Sequence, residues 1–249
     1  MKILVAISAV PDTTSKINFN DNDTKFDKSG VQFIINPLDE YCVNKALQFQ
    51  ENHQAEVSLI TVGEPSIESV MRKALALGIN EAIRVNIEPT DSEIVAHEIA
   101  TIAEKNNYDL LLLGKESLDF NGAAVPGLTA ALLGYNFVND VISINILDNN
   151  KISVVREFDN GVETIELKLP VVLAGKKGLV KENEIKIPTM RGIMAARTKK
   201  IIVEEAQNIP SKLKSIKFEK AKARSEVRLI DPNHLDELVN LLHDEAKVI

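Results

Sequence analysis

Four short aliphatic runs, at residues 3–7, 57–62, 82–85 and 110–114, constrain this chain more than anything else in it. Each is short and mostly aliphatic, interrupted only by Ser58, Thr61 and Arg84, so it reads as a strand buried on both faces and not as one stripe of a helix. The intervals between them carry apolar residues at three- and four-residue spacing, the period of a helix. Strands that alternate with helices build a parallel sheet with helices on both faces, the α/β class.

The helix limits are marked by their chemistry. Asn36 can cap a helix that has Pro37 at its first position and Asp39 beside its positive end; Pro65 with Glu68 opens the next, and Gly78 ends it. A third helix is expected from about Asp91 to Asn106. Residues 17–35 form an insertion whose polar centre, Asn20-Asp-Asn-Asp-Thr24, predicts a small hairpin at the edge of the sheet. Residues 152–158, a turn at Asp159-Asn160-Gly161 and residues 162–169, where Ile165, Leu167 and Leu169 alternate with Glu166 and Lys168, predict an antiparallel hairpin with one wet face.

Beyond Lys199 the globular periodicity fades. Residues 211–228 carry Lys212, Lys214, Lys217, Lys220, Lys222, Arg224 and Arg228 against Glu219 and Glu226, either a solvated surface or an arm lying on another subunit. The last segment places Asp231 and Pro232 as cap and first residue of a helix striped by Leu235, Leu238, Val239 and Leu242, which must dock at home or on a partner.

Composition narrows the functional classes. At 249 residues the chain suits one large domain or one domain with an appendage. The formal charge of −7 leaves no basic stripe for nucleic acid. No run approaches the ~20 apolar residues of a membrane span, and the expectation is a soluble, cytoplasmic protein that is not membrane-embedded. Cys42 is alone and in a helical context, so it reads as an inert core thiol. The four histidines are scattered away from other ligand types, so no metal is expected. No His, Cys or carboxylate pair is placed for acid–base or nucleophilic work, and no catalytic residue is assigned.

One passage points to a ligand. Leu110-Leu-Leu-Leu-Gly114 runs into Lys115-Glu-Ser-Leu-Asp119-Phe-Asn-Gly-Ala-Ala-Val-Pro-Gly127 and then into the helical Leu128-Thr-Ala-Ala-Leu-Leu133. Strand, small-residue loop and helix in that order put free backbone N–H groups where a phosphate could sit. The lysine precedes the loop instead of closing it, which excludes a P-loop, and there is no Gly-x-Gly-x-x-Gly. The same order also occurs in α/β proteins for structural reasons alone.

Further segments decide between these readings: Ile3-Leu-Val-Ala-Ile7 with Val10-Pro-Asp12; Ile35-Asn-Pro-Leu-Asp-Glu40; Lys73-Ala-Leu-Ala-Leu-Gly78; Gly114-Lys115 with Asp119; Arg156-Glu-Phe-Asp-Asn-Gly-Val-Glu-Thr164 with Leu167-Lys-Leu-Pro170; Ile187-Pro-Thr-Met-Arg-Gly-Ile-Met-Ala-Ala-Arg197; and Glu237-Leu-Val with Glu245-Ala-Lys-Val-Ile249. In order and from end to end, the chain resembles the β subunit of electron transfer flavoproteins. The resemblance implies a Rossmann-like, doubly wound parallel sheet with an antiparallel hairpin added and a C-terminal arm plus helix. It divides the chain into a nucleotide-binding domain at 1–204 and an arm at 205–249 that docks on the α subunit.

It also implies a heterodimer in which the α subunit holds most of a redox FAD while this subunit keeps a structural AMP. Electrons arrive from acyl-CoA or related dehydrogenases and leave to a membrane quinone oxidoreductase. Carried over by position, the nucleotide contacts fall on Ala6, Asn36, Pro37, Leu38, Asp39, Val62, Gly114, Lys115, Asp119, Asn121, Gly122, Ala123, Ala124 and Val125. A recognition loop at about 181–199 offers Ile187, Met190, Arg191 and Met194 to the dehydrogenase; by pattern alone Ile187, Met190, Ile193 and Met194 would be an ordinary core face. AMP-holding members show Asn-Gln-Thr where this chain has Ala123-Ala124-Val125. A branch that bifurcates electrons from NADH, with a second FAD in the same crevice, shows Ala-x-Val there. A universal-stress-type ATP-binding module is the remote alternative.

Overall fold

The computed structural model describes residues 1–249 apart from 149, 208 and 223–226; Arg224 and Glu226 of the basic run therefore lie outside the described residues. A nine-stranded sheet organises the chain, in the order β11-β10-β9-β12-β8-β1-β6-β7-β13. Its parallel part comprises β1 (Lys2–Ala6), β6 (Glu56–Val62), β7 (Glu81–Asn86), β8 (Leu110–Gly114), β9 (Asn136–Asp148), β12 (Val171–Gly175) and β13 (Ile201–Glu205). The four aliphatic runs are β1, β6, β7 and β8. They are largely aliphatic, interrupted by the buried Ser58, Thr61 and Arg84, because both faces are covered: Ile3, Val5, Leu59, Leu110 and Leu112 face one core, and Leu4, Ala6, Ile60, Leu111 and Leu113 face the other.

Helices α1 (Pro37–His53), α2 (Glu68–Ala76) and α5 (Met190–Thr198) cover the first face; α3 (Ser92–Asn106) and α4 (Val125–Leu133) cover the second. Each buried leucine or isoleucine in these cores contributes roughly 1.5–3 kcal/mol. Asp91 caps α3 by accepting the Ile94 N–H at 2.8 Å, and Asn107 ends the helix in the left-handed region at φ 53. From β1 the chain winds through α1 and α2 to β6 and β7, then α3 carries it back to β8 on the other side of β1. The winding reverses at the carboxyl ends of β1 and β8, where open α/β sheets form a ligand crevice.

The insertion departs from expectation. β3 (Phe19–Asn20) and β4 (Lys25–Phe26) form the hairpin, but as a ribbon of their own, and β2 (Ala9–Pro11) pairs with β5 (Phe33–Ile35) in another. The insertion lies over the carboxyl ends of β6 and β7, where Lys28 meets Glu64 at 3.4 Å and Glu88 at 3.0 Å. It leaves the sheet's edge free because its own strands supply both partners.

The expected hairpin is β10 (Lys151–Phe158) and β11 (Gly161–Lys168), turning through Asp159 and Asn160, and a longer strand, β9 (Asn136–Asp148), precedes it to make an antiparallel meander. β13 corrects the expectation that order fades after Lys199: residues 201–205 form the far edge strand beside β7. The C-terminal helix, α6 (Leu235–Asn240), begins after Asp231 and Pro232 and continues as a π turn over Leu241–Glu245. Asp231 does not cap it; its carboxylate accepts the Asn233 N–H at 2.8 Å in a local turn.

Candidate functional site

Ala6 ends β1 and Val62 ends β6, both on the face of α3 and α4, and Val125 at the start of α4 packs against the same apolar cluster. These residues give the crevice apolar walls. Its floor is set by Asp39, in the first turn of α1. One carboxylate oxygen accepts the Ser8 N–H at 2.7 Å and the other the Gly114 N–H at 2.9 Å, so a single side chain ties the exits of β1 and β8 to one helix. Gly114 permits this: a Cβ there would sit 2.2 Å from the Asp39 carboxylate and 2.9 Å from its backbone nitrogen. Burial pushes the Asp39 carboxyl up to about 7, against the pull of the N–H donors from Ser8 and Gly114.

Asn36 and its neighbours complete the wall. Asn36 precedes Pro37 at the start of α1, but its side chain makes no capping bond. Instead Nδ2 donates to the Glu116 carbonyl at 2.9 Å and Oδ1 accepts the Leu118 N–H at 3.2 Å. The expected cap is thus a brace for the loop after β8, because Pro37 already removes one donor at the helix start and the loop offers two unpaired backbone groups. Leu38 lies between Pro37 and Asp39, with its backbone against Gly114.

The loop from Asp119 to Val125 then makes a backbone concavity. Asn121 and Ala123 both take φ 48, in the left-handed region, with Gly122 between them outside it. Such a change of hand turns successive N–H groups toward one side and forms an anion nest. Among the described residues, no protein acceptor takes the N–H groups of Ala123, Ala124 and Val125. Ala124 begins α4 without a side-chain cap, so the helix's positive end stays open. A left-handed alanine costs about 1 kcal/mol, a local strain that recurs at ligand clamps.

Lys115 is not turned to this nest. Its ammonium meets Asp140 on β9 at 2.8 Å, and that hydrogen bond holds its pKa above the ordinary lysine value. The free main-chain N–H groups of this loop are donors of the kind that hold an anion. Ser8 and Asp140 are the site-forming residues that sequence reasoning missed, and Glu116 and Leu118 lie in the loop it singled out without being named for a role. Ser8, Glu116 and Leu118 act mainly through backbone groups, which leave no signature in a side-chain pattern.

The second candidate surface lies across the other helical face. Ile187 is 85% exposed, Met190 76% and Met194 67%, with Ile193 and Arg191 also exposed. The core-face reading of these side chains is therefore overturned; of α5, Ala196 is the residue that enters the core. Thr189 caps α5 by accepting the Gly192 N–H at 3.1 Å. Gly192 lets α5 sit close to α2, since a Cβ there would lie 2.3 Å from the Ala76 carbonyl.

The C-terminal arm leaves along α3. Gln207 donates its N–H to Glu98 at 2.8 Å, Lys212 meets Glu93 at 2.6 Å, and Ser211 bonds the capping carboxylate of Asp91. Farther on, Phe218 stacks on Phe19 with centroids 5.1 Å apart. Leu213, Ile216, Val227, Leu229, Leu235 and Val239 remain exposed.

The fold and crevice define a class: a Rossmann-like α/β protein with an anion nest at the switch point of its sheet. The comparisons identify the family. A model for the electron transfer flavoprotein domain matches residues 23–208. The electron transfer flavoprotein subunit beta of Homo sapiens is 34% identical over 212 residues, covering 82% of this chain and 80% of its own. That of Syntrophomonas wolfei is 32% identical over 220 residues, covering 88% and 85%, and that of Bacillus subtilis is 29% identical over the full length of both chains. The chain belongs to the electron transfer flavoprotein β-subunit family. No helix among the described residues is long and apolar enough to cross a membrane.

Proposed function

We propose that this chain pairs with an α subunit and, as a non-catalytic electron carrier in the cytoplasm, passes electrons from acyl-CoA or related flavin dehydrogenases to a quinone oxidoreductase. In that heterodimer the α subunit holds most of the redox FAD, and the crevice between Asp39 and α4 holds a structural AMP. The observation that carries the nucleotide assignment is the nest at Asn121–Val125, with three backbone N–H groups lacking a protein acceptor at the open end of a helix. One nest, with its neighbouring lysine paired to Asp140, suits a monophosphate better than the triphosphate that a universal-stress-type module would hold. Ala123 and Val125 support the second reading, a bifurcating subunit with another FAD in this crevice.

Mass spectrometry of small molecules released by denaturing the native heterodimer tests the assignment. One AMP and one FAD per heterodimer are expected; two FAD and no AMP move the chain to the bifurcating branch. The chain expressed alone should be nearly colourless and the co-expressed complex yellow, since most contacts to the redox flavin lie on the α subunit in this reading.

The exposed segment at 187–194 supports a recognition surface. Ile187→Ala should slow dehydrogenase-dependent flavin reduction by tens-fold, through loss of ~1.5–3 kcal/mol of burial in a partner's pocket. The melting temperature should stay within a degree or two, because an exposed side chain contributes little to the fold. A normal rate in the variant would remove Ile187 from the interface.

A further inference from the structure

The chain leaves β12 in the middle of the sheet and rejoins it as β13 at the far edge, so residues 176–200 must cross the face covered by α1 and α2. That crossing is fastened at two posts. On α1, the fully buried Asn44 accepts the Lys186 N–H at 2.8 Å while its own amide donates to the Glu40 carbonyl at 2.9 Å. Gln48 meets Glu184 at 3.1 Å and Lys186 pairs with Glu51. On α2, Arg72 Nη1 lies 2.6 Å from the Ala196 carbonyl, 3.3 Å from that of Arg197 and 3.2 Å from that of Lys199.

The second post is reciprocal. Lys199 Nζ donates to the Leu75 carbonyl at 3.0 Å and the Ile79 carbonyl at 2.6 Å, so each helix has its last carbonyls capped by a cation from the other segment. Half-buried as it is, Lys199 is held below the ordinary lysine pKa by burial. Between the posts stand the most exposed large apolar residues of the segment, Ile187 and Met190, where Thr189 caps α5 and Gly192 sets that helix against α2. The stretch is short, fixed at both ends and apolar outward.

We infer that Asn44 and Arg72 are positioning residues for partner recognition: they hold residues 187–194 in the geometry that docks, without touching the partner. This rests on the reading of 187–194 as the recognition segment. A tethered stretch that is already ordered loses less conformational freedom on docking, so the posts contribute to partner affinity and not to the electron-transfer step itself.

The test uses the heterodimer and an acyl-CoA dehydrogenase that reduces the wild-type complex. Arg72→Gln should raise the KM of the dehydrogenase for the heterodimer about tenfold while kcat stays within twofold, and it should speed tryptic cleavage at Lys186, Arg191 and Arg197. Arg72→Lys should recover part of both effects, because an ammonium can still cap one of the carbonyls. Nucleotide content and chemical reduction of the flavin by dithionite should match wild type in both variants. Faster cleavage with an unchanged KM overturns the inference, and so does unchanged cleavage. If Ile187→Ala leaves KM unchanged, the recognition reading itself fails, an outcome distinct from a failure confined to Arg72.

Discussion

Replacing Asp39 with alanine should lower folding stability by about 1–4 kcal/mol, because the buried N–H of Gly114 loses its acceptor at roughly 1–3 kcal/mol and the N–H of the exposed Ser8 loses its own at about 1 kcal/mol or less. The loss should extend to the crevice, whose two strand exits share that one carboxylate. Asp39→Asn should cost less, since it keeps one oxygen, yet its amide donor faces a second donor. The two variants also differ from wild type in pH response. A folded-state pKa of about 7 against an ordinary 3.8 means the protonated acid is the form the fold prefers. Its contribution is complete below pH 4 and is lost as pH rises to 7, at about 1.4 kcal/mol per pH unit in between. Chemical denaturation of wild type and Asp39→Asn from pH 4 to 8 should show that slope in the first and not in the second. Parallel curves would remove the ionisation account, and a loss below about 1 kcal/mol in Asp39→Ala would show that another group satisfies the donors.

Truncation after Leu213 should leave the melting temperature within a few degrees while weakening association with the α subunit by at least 100-fold. The side chains removed, among them Ile216, Val227, Leu229, Leu235 and Val239, are exposed and so support little of the chain's own core. Seated on a second surface, each can bury roughly 1.5–3 kcal/mol of apolar area before ordering costs are set against it. The cut belongs after 213 because the boundary at 204 expected from the sequence would sever β13 and remove the Gln207–Glu98 and Ser211–Asp91 contacts on α3. Titration calorimetry of the truncated chain with purified α subunit measures the effect, and unchanged affinity would show that the arm serves the domain it leaves.

What the sequence showed follows from what was buried. β1, β6, β7 and β8 are covered on both faces and announce themselves as aliphatic runs. β9 does not: shifts of register against β10 and β12 break its alternation, so its buried residues, Val138, Val141 and Ile144, recur every third position. β12 follows the hairpin so closely that its apolar run merges with it. β13, half-buried at an edge and ending in Glu204 and Glu205, carries too little apolar contrast to stand out. The loop at 119–125 was legible because small residues before a helix have a local meaning. The bond from Asp39 to Gly114 was not, since it joins groups 75 residues apart through a backbone donor. Asn36 was legible as a special position, but its side chain went to the loop at 116–118 because tertiary contacts outweighed the local cap.

The two rims of the sheet bear on the fate of a subunit made in excess of its partner. β11, at one end, carries Glu163, Glu166 and Lys168 along an open strand, and β13, at the other, closes in two glutamates. A second copy adding its β13 in parallel register at that rim would bring Glu204 and Glu205 against their counterparts. Val162 on β11 and Val203 on β13 are exposed too, but the most exposed apolar side chains, among them Ile187, Met190, Ile216, Val227 and Leu229, lie on a loop, on α5 and on the C-terminal arm, none of which offers a ladder of unpaired backbone groups. An orphaned copy is thereby steered away from strand-upon-strand growth at the β13 rim.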